Sequence, residues 1–70
     1  MSEKKTLTLN LSEDEMKTLE ELALRNDITK TAVLKKAIRI YLILETRMQK
    51  GEHIFVEDAD HQVKVELLLV

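Results

Sequence analysis

The seventy residues contain no cysteine, no proline, a single glycine and only two aromatic side chains. Without cysteine the chain has neither disulfides nor thiolate zinc ligands, which are usual means of stabilising a small fold. A chain of this length buries only about 60% of the surface that its unfolded form exposes. Two aromatic rings are also too few for a surface that binds RNA or single-stranded DNA by base stacking. Because the chain is short and has no disulfide or thiolate zinc site, we expect a second copy of the chain to complete the core.

Long apolar runs are missing as well. The longest uncharged apolar run, residues 40–44, is far shorter than the roughly 20 residues that span a membrane. The first five residues lack the apolar stretch of a signal peptide. We expect a cytoplasmic protein with no membrane partner.

The sequence also lacks the residue groupings of an enzyme. It has no Ser/His/Asp grouping, no paired carboxylates in an apolar setting and no glycine-rich phosphate loop. His53 and His61 stand near Glu57, Asp58 and Asp60, but this spacing matches no familiar set of metal ligands. We expect no catalysis, no cofactor and no metal.

Charge is segregated along the chain. The formal net charge is −2, but the last twenty residues hold five acids and one base. Residues 30–50 hold six bases, with Glu45 as their one acid. Because the charge is divided in this way, an acidic total does not exclude an anionic partner.

Residues 6–11 alternate polar and apolar side chains, which is the pattern of a half-buried strand. Leu7, Leu9 and Leu11 fall on one face. Thr6, Thr8 and Asn10 fall on the other. No second strand signal lies nearby, so antiparallel pairing with the same strand of a second chain would satisfy its backbone.

Two helices are predicted next. Ser12 and Glu15 form a capping box at the start of the first helix, which should end near residues 26–27. Thr29 is the natural N-cap of the second helix, which runs from about Lys30 to Lys50 before Gly51. Its stretch 37–44 is apolar around most of its circumference, so we expect it to be buried against another subunit.

The last residues predict extended structure. Residues 53–57 and 62–67 are rich in β-branched side chains and are separated by a polar turn. They predict a C-terminal β-hairpin, two short strands or an extended tail. We accordingly divide the chain into a domain of residues 1–51 and a tail of residues 52–70, which could serve oligomerisation or partner binding.

The order of these elements resembles the ribbon–helix–helix family of the MetJ, Arc and CopG type. The resemblance is carried by Lys-Thr-Leu-Thr-Leu-Asn-Leu-Ser at 5–12, the capping box, and Ile-Thr-Lys-Thr-Ala at 28–32, and covers residues 4 to about 50. It implies a mostly α fold with a short N-terminal strand, in an intertwined homodimer with an intermolecular antiparallel β-ribbon. It also implies that the ribbon lies in the major groove of double-stranded DNA.

The resemblance assigns roles to particular residues. The base-contacting candidates are Thr6, Thr8 and Asn10. The phosphate-contacting candidates are Lys4, Lys5, Thr29, Lys30 and Thr31. The dimer core would comprise Leu7, Leu9, Leu11, Leu19, Leu22, Val33, Leu34, Ala37, Ile38 and Tyr41.

Two departures from the family pattern affect the expected binding. Asp27 stands in the turn where relatives usually have glycine, and it places negative charge near the proposed phosphate site. The outward strand residues are all neutral, although many relatives carry a base there. We expect modest affinity or cooperative binding by several dimers.

The resemblance implies a small transcriptional regulator of a prokaryotic cell, with a plasmid or phage origin left open. We favour a repressor over an activator. Its partners would be double-stranded DNA and itself, as a homodimer, with a tetramer or cooperative array left open. One alternative is the antitoxin of a toxin–antitoxin pair, whose tail would bind a toxin protein. Another is an oligomerisation or small-ligand-binding module that does not bind DNA.

Overall fold

The structure, a computed structural model, describes residues 3–68 and contains two helices followed by two strands. The helices are α1 (Glu13–Asn26) and α2 (Lys30–Gln49), and the strands are β1 (Ile54–Glu57) and β2 (Lys64–Leu67). The contacts divide the chain into two units between Leu34 and Lys35, within α2. The division between residues 51 and 52 that we drew from the sequence stays a prediction.

Helix α1 begins with the expected capping box. The Ser12 hydroxyl accepts a hydrogen bond from the Glu15 amide at 3.1 Å, and the Glu15 carboxylate accepts one from the Ser12 amide at 2.9 Å. The two bonds satisfy amides that have no partner within the helix. The predicted start of this helix is confirmed.

The same helix ends in a Schellman motif at the predicted position. The Ile28 amide donates to the Ala23 carbonyl at 3.0 Å, and the Asp27 amide donates to the Leu24 carbonyl at 3.2 Å. Asp27 adopts the left-handed conformation that this motif needs, with φ 53° and ψ 47°. Residues 27–29 thereby connect α1 to the second helix, which begins at Lys30.

The first unit has a small core on the inner face of α1. Leu19 and Ala23 are the buried hydrophobic residues of the described part of the chain. The half-buried apolar residues of the same unit are Leu11, Leu22, Ile28, Ala32, Val33 and Leu34. So small a core agrees with the expectation that one copy does not suffice.

Helix α2 has the predicted caps at both ends. The Thr29 hydroxyl accepts from the Ala32 amide at 3.0 Å. Gly51, with φ 85°, donates its amide to the Met48 carbonyl at 3.0 Å, and Glu52 donates to the Arg47 carbonyl at 3.2 Å. The helix ends one residue before the predicted Lys50. Within residues 3–68, neither helix is long and apolar enough to cross a membrane.

The middle of α2 exposes apolar side chains. Ile38, Ile40, Tyr41, Leu42 and Ile43 are each 57–64% exposed. A soluble monomer rarely exposes a continuous apolar surface of this kind, which is typical of a protein interface.

The two strands form an antiparallel sheet. Ile54 pairs with Leu67, and Val56 pairs with Val65, so these four apolar side chains share one face. In the connecting turn the Asp58 carboxylate accepts hydrogen bonds from the amides of residues 62 and 63, at 2.8 and 3.1 Å. We call β1, β2 and this turn the hairpin.

The predicted N-terminal strand is not formed within the single chain. Residues 3–11 belong to no helix or strand, and Leu7 and Leu9 are 80% and 51% exposed instead of half-buried. The physical reason is that a strand needs a neighbouring backbone for its amides and carbonyls, and no other segment of the described chain offers one here.

Candidate nucleic-acid interface

Five of the predicted DNA-contacting residues lie in the segment before α1. Lys4, Lys5, Thr6, Thr8 and Asn10 are all exposed. None of their side chains makes a hydrogen bond or ion pair within residues 3–68, so their polar groups are available to a ligand. If this segment pairs as a strand, its alternating side chains will place the two threonines and the asparagine on one face.

The remaining three predicted contacts lie together at the start of α2. Thr29 caps the helix, and Lys30 and Thr31 occupy its first two positions. The backbone amides of Lys30 and Thr31 donate no hydrogen bond within the part of the chain that the structure describes. Unpaired amides and the helix dipole together favour an anion at this end. No side-chain hydrogen bond or ion pair in this part of the chain links this group to residues 4–10.

The Lys30 side chain already has a partner in the free protein. Its ammonium lies 3.4 Å from the Glu20 carboxylate of α1, and both side chains are 53% exposed. An ion pair this exposed contributes about 0–1 kcal/mol, so a phosphate can compete with the carboxylate for Lys30. The sequence reasoning missed Glu20, because a charge ten residues earlier on another helix has no spacing rule that pairs it with Lys30.

Asp27 brings a negative charge to the same turn. It precedes the Thr29 cap by two residues and is exposed. Its left-handed backbone is the conformation that glycine adopts without steric cost. The backbone that the family glycine would supply is therefore present, together with a carboxylate that opposes a phosphate at this helix end.

The rest of α2 continues the positive charge. Its first turn holds no acid. Lys35, Lys36 and Arg39 are exposed along the helix, and none of them has an ion-pair partner within residues 3–68. The local field around the start of α2 therefore has the sign that attracts a polyanion, even though the whole chain is acidic.

The tail histidines have carboxylate partners instead of a shared site. His53 lies 2.9 Å from Glu66, and His61 lies 3.2 Å from Glu57. Within residues 3–68 no three such side chains come together in a way that could hold a metal ion.

The predicted dimer core is only partly covered in one chain. Leu19 is buried, and Leu11, Leu22, Val33 and Leu34 are half-buried. The other five members are exposed, namely Leu7, Leu9, Ala37, Ile38 and Tyr41. The assignment of all ten to a dimer core stays a prediction.

A comparison with protein-family models finds a match to the ribbon-helix-helix protein, CopG family, over residues 5–45. No curated protein and no solved structure gives a significant match. The matched segment takes in the N-terminal segment, all of α1 and most of α2, and it covers more than half of the chain. The resemblance inferred from the alternating residues, the capping box and the second cap is confirmed, and the chain belongs to the CopG family of ribbon-helix-helix proteins.

Proposed function

We propose that this protein is a homodimeric transcriptional regulator, and specifically a repressor, that binds a short DNA site through a ribbon made from residues 6–11 of two chains. Proteins of this family bind double-stranded DNA, form dimers and are generally transcription regulators, and theirs is not an enzyme fold. The observation that carries the proposal is the segment before α1: the side chains of residues 6–10 are all exposed, and their backbone has no hydrogen-bond partner within residues 3–68.

Pairing two copies of this segment would satisfy its backbone and cover its leucines. Leu7 and Leu9, at 80% and 51% exposure, are the most direct sign that a partner surface is missing. Antiparallel pairing about a two-fold axis gives each strand a hydrogen-bonded neighbour and places the leucines of both chains on one side. The five exposed apolar residues of α2 would be covered by the same dimerisation.

The other side of such a ribbon would meet base edges. Thr6, Thr8 and Asn10 would project from it, and a two-stranded ribbon fits the major groove. Asparagine can bind adenine with two hydrogen bonds, and threonine offers a hydroxyl and a methyl group that can contact thymine. These contacts would supply the sequence preference.

The start of α2 would hold a backbone phosphate. Anions bind favourably at the N-terminus of a helix. The backbone amides of Lys30 and Thr31 and the Thr31 hydroxyl lie at this position in α2. Lys4 and Lys5 would add charge at the ribbon. Each of these contacts occurs twice in a dimer, once for each half of the site.

We favour a regulator over an antitoxin because residues 54–67 form paired strands within the chain. Antitoxin tails are typically disordered until they bind. The antitoxin alternative predicts a disordered segment here, whereas residues 54–67 form a hairpin.

A footprint on the DNA upstream of the protein's own gene, followed by a salt titration of binding, tests the proposal. Counterion release makes the logarithm of the affinity fall linearly with the logarithm of the salt concentration, by about 0.9 for each neutralised phosphate. Lys5→Ala removes two phosphate contacts from a dimer and should reduce this slope by about 2. Lys35→Ala, an equal loss of charge on the exposed helix face, is the matched control and should change the slope far less.

Either of two results would contradict the proposal. One is the absence of a protected site, with weak binding of equal strength to unrelated duplexes. The other is an equal change in the salt slope for Lys5→Ala and Lys35→Ala. This result would mean that the total charge of the protein, and not a phosphate contact made by the ribbon, determines the salt dependence of binding.

A further inference from the structure

The hairpin lies outside the segment that matches the family, and its second strand has a free edge. Within residues 3–68, β2 pairs with β1 on one side and with nothing on the other. We propose that this edge of β2 pairs with the same edge of a second copy, antiparallel and about a two-fold axis at Val65, and so joins two dimers into a tetramer. The proposal concerns other residues than those of the proposed DNA interface. It rests on the dimer of the proposed function but does not depend on DNA binding.

The hydrogen bonds of the hairpin determine which backbone groups point to the free edge. The Asp58 amide donates to the Val63 carbonyl at 3.1 Å, so residues 58 and 63 form a hydrogen-bonded pair. Such pairs alternate with non-hydrogen-bonded pairs along an antiparallel ladder. Val65, opposite Val56, therefore directs its amide and carbonyl toward β1, whereas Lys64 and Glu66 direct theirs outward.

A two-fold axis at Val65 gives the outward amides and carbonyls of Lys64 and Glu66 hydrogen-bond partners in the second copy. It places Lys64 directly opposite Glu66 of the partner subunit, and Glu66 opposite the partner's Lys64. Each of these two positions becomes a hydrogen-bonded pair, in which both residues exchange an amide hydrogen bond. Each also brings an ammonium and a carboxylate to facing positions on the same side of the sheet, where opposite charges stabilise the pairing.

Neighbouring registers are disfavoured by charge. An axis at Lys64 would place two lysines directly opposite each other, and an axis at Glu66 would do the same with two glutamates. Like charges in facing positions destabilise a sheet. A slip of one residue would instead mix the apolar face with the charged face. The sequence of β2 is therefore self-complementary in one register.

In the resulting four-stranded sheet, the apolar face of one hairpin would continue into the apolar face of the other, and the charged face into the charged face. On the apolar face, Val63 would meet Leu67 of the partner subunit, and the two copies of Val65 would meet each other. Val63 and Val65 are now 56% and 57% exposed. On the opposite face, Lys64 lies 5.0 Å from the centre of the Phe55 ring of β1. Its side chain is thus on the face of the sheet where the partner's carboxylate would be, and it would turn from β1 toward the free edge to meet that carboxylate.

Light scattering of the full chain over a range of protein concentration tests the charge pairing. We expect the mass of a tetramer for the natural chain and a tetramer dissociation constant raised about tenfold or more by Glu66→Lys, which creates two facing lysine pairs. Asp60→Lys makes the same charge change in the turn of the hairpin, outside the paired strands, and is the matched control that should leave the tetramer intact. In a chain that also carries Glu57→Lys, so that residues 57 and 64 keep opposite charges across the hairpin, the double variant Lys64→Glu with Glu66→Lys exchanges the two facing charges and should restore the tetramer. Circular dichroism of each variant shows whether it is folded.

A cysteine crosslink tests the register without changing any charge. The chain has no cysteine of its own. A non-hydrogen-bonded pair brings two Cα atoms to about 4.5 Å, within the range of a disulfide. Oxidation should therefore link two chains of Val65→Cys. Two chains of Val63→Cys should stay unlinked, since four residues along a strand separate them by about 14 Å.

Each remaining outcome would overturn the proposal. These outcomes are a natural chain that stays a dimer at every concentration, a tetramer that Glu66→Lys leaves unchanged, and a folded double variant that fails to restore it. Val65→Cys and Val63→Cys crosslinking to the same extent, or not at all, would overturn it even if a charge variant failed to fold.

Discussion

Replacing Asp27 with glycine should stabilise the protein. Asp27 closes α1 with φ 53° and ψ 47°, and its amide and that of Ile28 make the two hydrogen bonds of the Schellman motif. The left-handed conformation costs an L-residue about 1–2 kcal/mol. Glycine avoids this cost but loses about 0.5–1 kcal/mol through its greater freedom in the unfolded chain. The net gain is about 0.5–1 kcal/mol for each chain.

Thermal unfolding followed by circular dichroism measures this gain. For a domain of this size, a change of 1 kcal/mol shifts Tm by about 4–8 °C. We therefore expect Asp27→Gly to raise Tm by about 2–8 °C, compared at one protein concentration because dimers unfold in a concentration-dependent way. Asn26→Gly is the matched control. It should lower Tm, because it places glycine at the end of α1 and removes the 2.8 Å hydrogen bond that the side-chain Nδ2 of Asn26 donates to the Leu22 carbonyl.

Asp27→Asn removes the charge of this residue and keeps its backbone conformation, so it distinguishes the effect of the charge from that of the backbone. Asparagine also tolerates the left-handed conformation, so the stability should change little. A charge near an exposed helix end contributes about 0.3–1 kcal/mol. Two such sites in a dimer would tighten DNA binding by about 3- to 30-fold. A lower Tm for Asp27→Gly, or DNA binding unchanged by Asp27→Asn, would refute the respective part of this reasoning.

Three further substitutions test individual contacts. Ser12→Ala removes the side-chain half of the capping box and should lower the free energy of unfolding by about 1 kcal/mol, measured by urea denaturation; a change below the error of the measurement would contradict it. Glu20→Gln releases Lys30 for phosphate and should tighten DNA binding by about 2- to 30-fold, from about 0.2–1 kcal/mol at each of two sites. Glu21→Gln, which breaks only the pair with Arg25 in the same helix, should leave DNA binding unchanged. Asp58→Ala removes the Oδ1 atom that accepts two hydrogen bonds in the turn of the hairpin. It should weaken the hairpin by about 0.5–1.5 kcal/mol, seen as faster amide exchange in β1 and β2 with α1 unchanged.

The helices could be predicted because their ends are set by neighbouring residues. The capping box spans only residues 12–15, and the stop at Gly51 needs one residue that adopts positive φ. Asp27 was placed at the turn for the same reason, since aspartate tolerates the left-handed conformation. Signals of this kind lie within a few residues of the structure they determine.

Structure that depends on distant segments could not be predicted in the same way. The alternation in residues 6–11 predicts a strand, but a strand forms only where another backbone pairs with it, and the described residues of the single chain offer none there. The pair between Glu20 and Lys30 depends on how α1 meets the first turn of α2. The pairing of Ile54 with Leu67 depends on the turn between the strands, where the Asp58 carboxylate accepts two amides.

The central claim is that residues 6–10 of the paired chains distinguish one DNA sequence from another. Its most direct test is the affinity of the natural chain and of Asn10→Ala, by fluorescence anisotropy, for the footprinted duplex and for a scrambled duplex of the same composition. Thr18→Ala, on the exposed side of α1, is the control. The natural chain should prefer its own site. Asn10→Ala should lose about 1–3 kcal/mol of that preference while binding the scrambled duplex as before. An unchanged preference in Asn10→Ala would contradict the account.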